Sequence, residues 1–367
     1  MALANYADSL LFGFQGRVST EMQAKELREP DTMVLPYALD NQQFFQDVLD
    51  VSSVKESVQR PVYGYAFNRV STSVGSAMTT QPTGPVGTSS QIPLTFVTWS
   101  VGFSTYNTTG FDNVMSYASI FDNSAMQAMR LLRTAIRQWL TNQLYTSRTA
   151  TASPAGGVSN IKNANFNAAT NCWEIQGGNT QWAAMQSVMQ QAGYGSYKYD
   201  AFLDPTLMLG YGYQSAQGVQ NATNLAYQFA QTPTMPGPGG YFDNIWQDIN
   251  LGTTVAIEPE YTNGTALVMP KQSFAFVPWI PKAYTDPNRQ QDFFNYNGGY
   301  GTIGDDKYRQ MEYQLFGWNQ QQDTSANYGM QQGQWQNWQI GFTAAFVTSF
   351  ISNPNETPIY QFAITGA

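Results

Sequence analysis

From Asp122 to Tyr145 the chain holds one helical pattern for about 24 residues, and no other feature constrains the fold as much. An ordinary globular helix makes about three turns. At 100° per residue, Met129, Leu132, Ile136, Trp139 and Leu140 form an apolar face, and Arg130, Arg133 and Arg137 lie beside it in a stripe roughly 60° wide. One side of such a helix is built for a core and the other for something anionic. Asp122, Asn123 or Ser124 is expected to cap the first turn, and Pro154, Gly156 and Gly157 follow the end of the pattern.

The arginines stand out because charge is scarce. Only 11% of the chain is charged, less than half of the usual ~25%, yet three of its ten arginines fall within eight residues. With 42% hydrophobic and 14% aromatic residues the chain is globular, and Gln, Asn, Ser, Thr, Tyr and Gly must cover its surface. Its 367 residues suffice for two or three domains or one elaborated one. A net charge of −8 and a pI near 4.5 argue against nucleic-acid recognition. The absence of histidine excludes Ser-His-Asp and Cys-His nucleophilic sites and the common His-containing metal sites. Cys172, the one cysteine, is expected to be a small buried hydrophobe. The first residues lack the basic and apolar regions of a signal peptide, and no segment approaches the ~20 apolar residues of a membrane span, so the expected compartment is a cytoplasm.

Along the chain, residues 1–59 read as a short helix, a break at Pro30 and an extended, charged arm. Two strand-like segments, "PVYGYAFNRVSTSV" and "IPLTFVTWSVGFSTY", flank the loop-like "GSAMTTQPTGPVGTSSQ", which predicts a long hairpin with a flexible tip. After the dominant helix, "TQWAAMQSVMQQAG" predicts a second helix ending at Gly193, "YKYDAFLDP" a buried strand followed by a turn at Asp204-Pro205, and "TLMLGYGYQSAQGVQ" and "ATNLAYQFAQ" segments that are helical or partly so. Strands are expected in "NIWQDINL", "TTVAIEPEY", "TALVMPKQSFAFVPWI", "IGFTAAFVTSFI" and "IYQFAITGA". No period marks a repeat architecture.

Carboxylate pairs are the catalytic candidates left: Glu258 with Glu260, Asp200 with Asp204, and Asp305 with Asp306. Local acidic pairs are common at turns and strand ends, and the sequence assigns no catalytic, cofactor-binding or metal-ligating residue. Trp318, Trp335, Trp338, Tyr313 and Tyr328 sit in a stretch rich in Gln and Asn, a composition that suits sugar stacking or an adhesive subunit contact. The arginine stripe has two readings as well. It is a solvated face with weak ion pairs, or a contact with the acidic N-terminal arm or a neighbouring subunit.

The coincidence of "TTQPTGPVGTSSQ" between two strands with "NSAMQAMRLLRTAIRQWLTNQLY" shortly afterwards resembles the major capsid protein of tailed bacteriophages, the Hong Kong 97 fold also seen in encapsulins. The resemblance implies an α+β fold with an N-arm at 1–59, an E-loop hairpin at 60–107, a P-domain with a spine helix at 108–177, an A-domain at 178–340 and C-terminal strands returning to the P-domain at 341–367. It implies a structural protein, not an enzyme, that self-assembles through hexamers and pentamers into an icosahedral virion shell around double-stranded DNA. Assembly would take place in a bacterial cytoplasm, with no membrane and no cofactor. Further candidate partners are scaffolding, portal, protease and decoration proteins. Arg130, Arg133, Arg137, Pro82, Gly84, Pro85, Trp335 and Trp338 would then be assembly contacts. Some members of that family join subunits through an E-loop lysine, but no lysine occurs here between Lys55 and Lys162, so the shell is expected to be held without covalent crosslinks. A carbohydrate-binding or carbohydrate-cleaving β-rich protein using the late tryptophans and an acidic pair such as Glu258 and Glu260, and an encapsulin-like compartment, are the alternatives.

Overall fold

The computed structural model describes residues 34–40, 62–66, 88–92, 95–107, 117–150, 161–178, 180–195, 199–210, 234–235, 242–248, 264–271, 273–281, 284, 299–305, 307–308, 310–321, 334–348 and 357–365. The described elements run in the order α1 (Val34–Asp40), β1 (Val62–Ala66), β2 (Thr88–Ile92), β3 (Phe96–Asn107), α2 (Tyr117–Thr146), β4 (Ala164–Asn167), β5 (Cys172–Gln176), α3 (Gln181–Met189), β6 (Tyr199–Leu203), β7 (Thr234–Met235), β8 (Asn244–Gln247), β9 (Thr265–Pro270), β10 (Phe274–Trp279), β11 (Gly299–Gly304), β12 (Glu312–Gln321), β13 (Gln334–Thr348) and β14 (Tyr360–Thr365). The class is α+β. No described helix is long and apolar enough to cross a membrane.

The dominant helix is α2, at 30 residues. It begins at Tyr117, so Asp122, Asn123 and Ser124, expected as caps, lie inside it. Phe121 accounts for the extra turn: it is buried, with its ring 4.8 Å from Trp338 and 5.7 Å from Phe103, and that packing holds the helix past the polar residues that would otherwise start it. Met129, Leu132, Ile136 and Leu140 are buried as their spacing requires. Trp139 is partly buried, 4.9 Å from Trp99 and 6.2 Å from Phe346.

Two sheets flank this helix. One has five strands: β10, β13, β12 and β11 in that order, with β3 against β13. Its inner face presents Trp338, Ile340, Phe342 and Ala344 of β13, Tyr313 and Leu315 of β12 and Phe274 and Phe276 of β10 to the core that α1 and α2 share. The other sheet has seven strands in the order β4-β5-β14-β9-β6-β8-β7. Its central strands β6 and β9 are buried on both faces, which is why "YDAFL" and "TALVMP" lack a regular apolar–polar alternation. Strand alternation sends Phe202, Leu267 and Met269 to the α2 core, and Ala201, Leu203, Ala266 and Val268 to a second core under α3.

Several expectations change. Residues 34–39 belong to a helix rather than an extended arm, and Val34, Leu35, Tyr37, Ala38 and Leu39 are buried in the α2 core. In the hairpin, Val62–Ala66 pairs with Thr88–Ile92, so "TSSQ" is strand rather than tip. The segment expected to close the hairpin instead continues as β3, which pairs with β13 over 12 residues. Pro93, in the sequence between β2 and β3, has no N–H with which to continue a ladder. The expected boundary between 340 and 341 falls inside β13, and β9 and β10, written as one run in "TALVMPKQSFAFVPWI", enter different sheets. The helix after β5 ends near Gly193 as expected, through a π-helical turn at Gln190–Tyr194 in which Gly193 takes φ 99°. "TTVAIEPEY" and the segments "YGYQSAQGVQ" and "ATNLAYQFAQ" lie outside the described residues.

After Asp204 the chain starts a helical turn at 205–210, where "TLMLG" reads as helical. The Leu207 N–H donates to Asp204 Oδ1 at 2.6 Å and the Thr265 N–H to Oδ2 at 2.9 Å, so one carboxylate caps the turn and ties it to β9. Gly264 fits against this cap at φ 108°, where a Cβ would lie 2.8 Å from Leu207 Cβ and 2.9 Å from Asp204 Oδ1. Gly264→Ala therefore combines backbone strain with a steric clash and is expected to cost about 2–4 kcal/mol in urea unfolding. A loss below about 0.5 kcal/mol would show that the cap and the glycine are not packed in this way.

Candidate functional site

Arg133, Arg137 and Thr141 follow one another at four-residue steps on α2, so their side chains leave the same face of the helix. Arg133 and Arg137 are 1% and 2% exposed. Arg133 Nη1 donates to both oxygens of Asp305, at 3.1 and 3.0 Å, just after β11. The same carboxylate accepts the N–H groups of Lys307 and Tyr308 and the hydroxyl of Tyr313, each at 2.7 Å. Arg137 Nη2 donates to the Tyr308 hydroxyl at 2.8 Å, and its guanidinium carbon lies 5.8 Å from the centre of that ring. One turn further, Thr141 Oγ1 donates to Asp248 Oδ2 at 2.7 Å, just after β8. The helix is thus fastened through Asp305 to the five-stranded sheet and through Asp248 to the seven-stranded one.

This corrects both readings of the stripe for two of its members. Arg133 and Arg137 are neither solvated nor placed to meet a neighbouring subunit, because both are buried and their partners, the Asp305 carboxylate and the Tyr308 hydroxyl, belong to the same chain. Burial of the helix face between two sheets is the reason. Arg130 is half-buried, with no described side chain paired to its guanidinium. On the open side of α2, Leu131 is 59% exposed.

The carboxylate pairs do not form acid and base couples. Asp305 is committed to Arg133, while Asp306 lies outside the described residues, as do Glu258 and Glu260. Asp200 is fully buried and hydrogen-bonded to Tyr37 and Asn244. Burial raises the Asp204 carboxyl above its ordinary pKa, and the N–H groups of Leu207, Thr265 and Thr206 pull it back. Both are structural links. Among the described residues no group of three or more His, Cys, Asp or Glu could hold a metal ion. Cys172 is buried, with its sulfur 3.6 Å from the Gln361 carbonyl oxygen.

The late aromatics separate by strand alternation. Tyr313 and Trp338 point into the core, so they cannot stack on a sugar or meet another subunit. Trp318 lies on the opposite face of β12 with Phe316, ring centres 5.2 Å apart. Tyr300 of β11 stands 4.9 Å from Phe316, and Tyr284 stands 5.2 Å from Tyr300. These four half-buried rings lie outside both cores. Beside them Gln314 Nε2 donates to Thr343 Oγ1 at 2.8 Å, and Ser104 Oγ donates to Asn337 Oδ1 at 2.6 Å. This outer sheet face is aromatic and amide-rich. Sequence reasoning missed Tyr284, Tyr300 and Phe316, although the alternation of Phe316 and Trp318 around Gly317 was visible. Pro82, Gly84, Pro85 and Tyr328, and the side chain of Trp335, lie outside the described residues.

Removing one partner of the buried ion pair leaves the other charge uncompensated. Asp305→Ala or Arg133→Met alone is expected to cost about 3–5 kcal/mol in denaturant unfolding, and the double variant Arg133→Met/Asp305→Leu to recover much of that loss. Additive losses would show that the two groups do not act as a pair.

No family model matches the chain, and no curated protein matches it. Among solved structures, one described as "Mycobacterium phage Che8" is similar at a TM-score of 0.46 and 9% identity, covering 92% of this chain and 93% of that one. The capsid structure of the cyanophage P-SCSP1u gives 0.41 at 13% identity, over 86% and 85% of the two chains. The capsid of Ralstonia phage GP4 gives 0.40 at 12% identity, over 86% of each. These three structures are described as a phage and phage capsids, and with TM-scores below 0.5 they lend this chain no residue roles.

Proposed function

We propose that the chain is a major capsid protein of the Hong Kong 97 type, which self-assembles into an icosahedral phage head around double-stranded DNA without covalent crosslinks. The observation that carries this reading is the β1–β2 hairpin, a two-stranded sheet that joins neither larger sheet among the described residues. Two strands alone are marginal in water. A neighbouring subunit in a symmetric assembly would supply the surface they need. In this reading residues 1–59 are the N-arm, rooted by α1, and 60–107 form the E-loop. The P-domain at 108–177 carries α2 as the spine helix, 178–340 form the A-domain, and 341–367 return to the P-domain.

Contacts between copies would fall to Arg130, to Pro82, Gly84 and Pro85 at the hairpin tip, and to Trp335. Arg133, Arg137 and Trp338 would serve from inside by keeping the spine rigid. The exposed Leu131 and the outer aromatic face of the five-stranded sheet support the same reading, since aromatic residues are enriched at subunit contacts. An acidic chain of net charge −8 would enclose DNA without gripping it. Scaffolding, portal, protease and decoration proteins are the further partners this reading calls for.

Light scattering after gel filtration, with negative-stain images of the largest fraction, tests the proposal. Closed shells or uniform rings of five and six are expected, from the protein alone or with a candidate scaffolding protein. A monomer of 40.8 kDa under every condition, scaffold included, would overturn it. Mature particles run on a denaturing gel are expected to give a single band, because residues 56–161 contain no lysine. A ladder of multiples would contradict the non-covalent shell.

A further inference from the structure

A chain without histidine has no side chain whose ordinary pKa lies between about 5 and 8. Any side-chain response to pH in that window must come from a group shifted by its surroundings. Asp200 of β6 is fully buried, on the strand face that it shares with Phe202. Its two direct side-chain donors are both neutral: the Tyr37 hydroxyl of α1, 2.8 Å from Oδ2, and Asn244 Nδ2 of β8, 3.0 Å from Oδ1. The charged groups that face it are Lys271, after β9, and Asp243, before β8, and they act on it in opposite directions. Lys271 Nζ lies 2.6 Å from Asp243 Oδ2 and its side chain is 45% exposed, so most of its charge is spent on that carboxylate and on water. The Tyr37 ring closes the site, with its centre 5.1 Å from Phe202 and 5.9 Å from both Trp246 and Phe274.

We propose that the Tyr37–Asp200 pair is a pH-sensitive latch that fastens α1, the root of the N-terminal segment, to the seven-stranded sheet more tightly in acid than in base. With α1 docked, Asp200 is sealed from water and its neutral form is favoured, because no cation is dedicated to it. A protonated Asp200 keeps the contact by donating to Tyr37 Oη. With α1 undocked, water reaches the carboxyl and its pKa falls back toward the ordinary value. Burial holds the docked Asp200 above that value, and the hydrogen bonds from Tyr37 and Asn244 offset only part of the rise. Docking therefore takes up a proton. The stability it contributes is fully present below the ordinary carboxylate pKa and is lost as pH rises through the raised one.

One proton limits the effect to tenfold per pH unit. Five apolar side chains of α1 are buried, so α1 stays docked in its resting state, and the latch sets how often it opens. Each opening frees α1 to meet another surface. The latch does not depend on the capsid reading, because it lies wholly within one chain.

Hydrogen exchange of the Val34–Asp40 amides in the full-length protein, from about pH 5 to about pH 9 and corrected for intrinsic exchange rates, tests the latch. Protection is expected to fall as pH rises, by up to tenfold per unit, and to be flat in Asp200→Asn. Tyr37→Phe removes a donor that favours the carboxylate, so its decline should extend to higher pH. Flat protection in the wild type, or a decline that persists in Asp200→Asn, would overturn the latch. Should Asp200→Asn fail to fold, a Tyr37→Phe profile identical to the wild type would overturn it instead.

Discussion

The buried ion pair between Arg133 and Asp305 is the contact on which the arrangement of this molecule depends. A 30-residue helix can slide or turn on an apolar surface at little cost, because apolar packing has no direction. A guanidinium with 1% exposure, held by a carboxylate that also accepts two backbone N–H groups and a tyrosine hydroxyl, permits one register only. Replacing such a pair by apolar side chains often leaves stability unchanged. Its physical contribution here is to fix how α2 lies on the five-stranded sheet.

The same device recurs at three further junctions among the described residues. Asp248 joins α2 to the seven-stranded sheet through Thr141, Asp200 joins α1 to it through Tyr37, and Asp204 joins the 205–210 turn to β9. A chain that is 11% charged has placed these four carboxylates inside, each at a seam between elements. Its outer sheet face carries the half-buried rings of Tyr284, Tyr300, Phe316 and Trp318, with Glu312 as the exposed carboxylate at the start of β12. Many acidic copies can approach one another through such a face with less repulsion than a carboxylate-rich surface would impose.

Much of the fold was legible where periodicity and burial agree. The apolar face of α2, the burial of Cys172, and the strands in "YDAFL", "TALVMP" and "YQFAIT" follow from local pattern. The partner of the arginine stripe was not legible, because Asp305 lies 172 residues from Arg133 and only the tertiary fold brings them together. Helix α1 was hidden for a similar reason: "VLPYALD" contains a proline and is too short to be stable alone, and its stability comes from burial against α2. The late aromatics were found as a group but could not be sorted. Whether Trp338 or Trp318 faces the core depends on which face of each strand α2 covers, and that is set by pairing with β3 and β12.

If copies of this chain meet through the half-buried rings of the outer sheet face rather than through ion pairs, assembly should be indifferent to salt. The direct test is the mass of assembled material, by light scattering, from about 0.05 to about 1 M sodium chloride. The account predicts that the assembled fraction is unchanged or rises modestly as the repulsion between acidic subunits is screened. Dissociation into subunits at high salt would contradict it, because ion pairs would then be what holds the copies together.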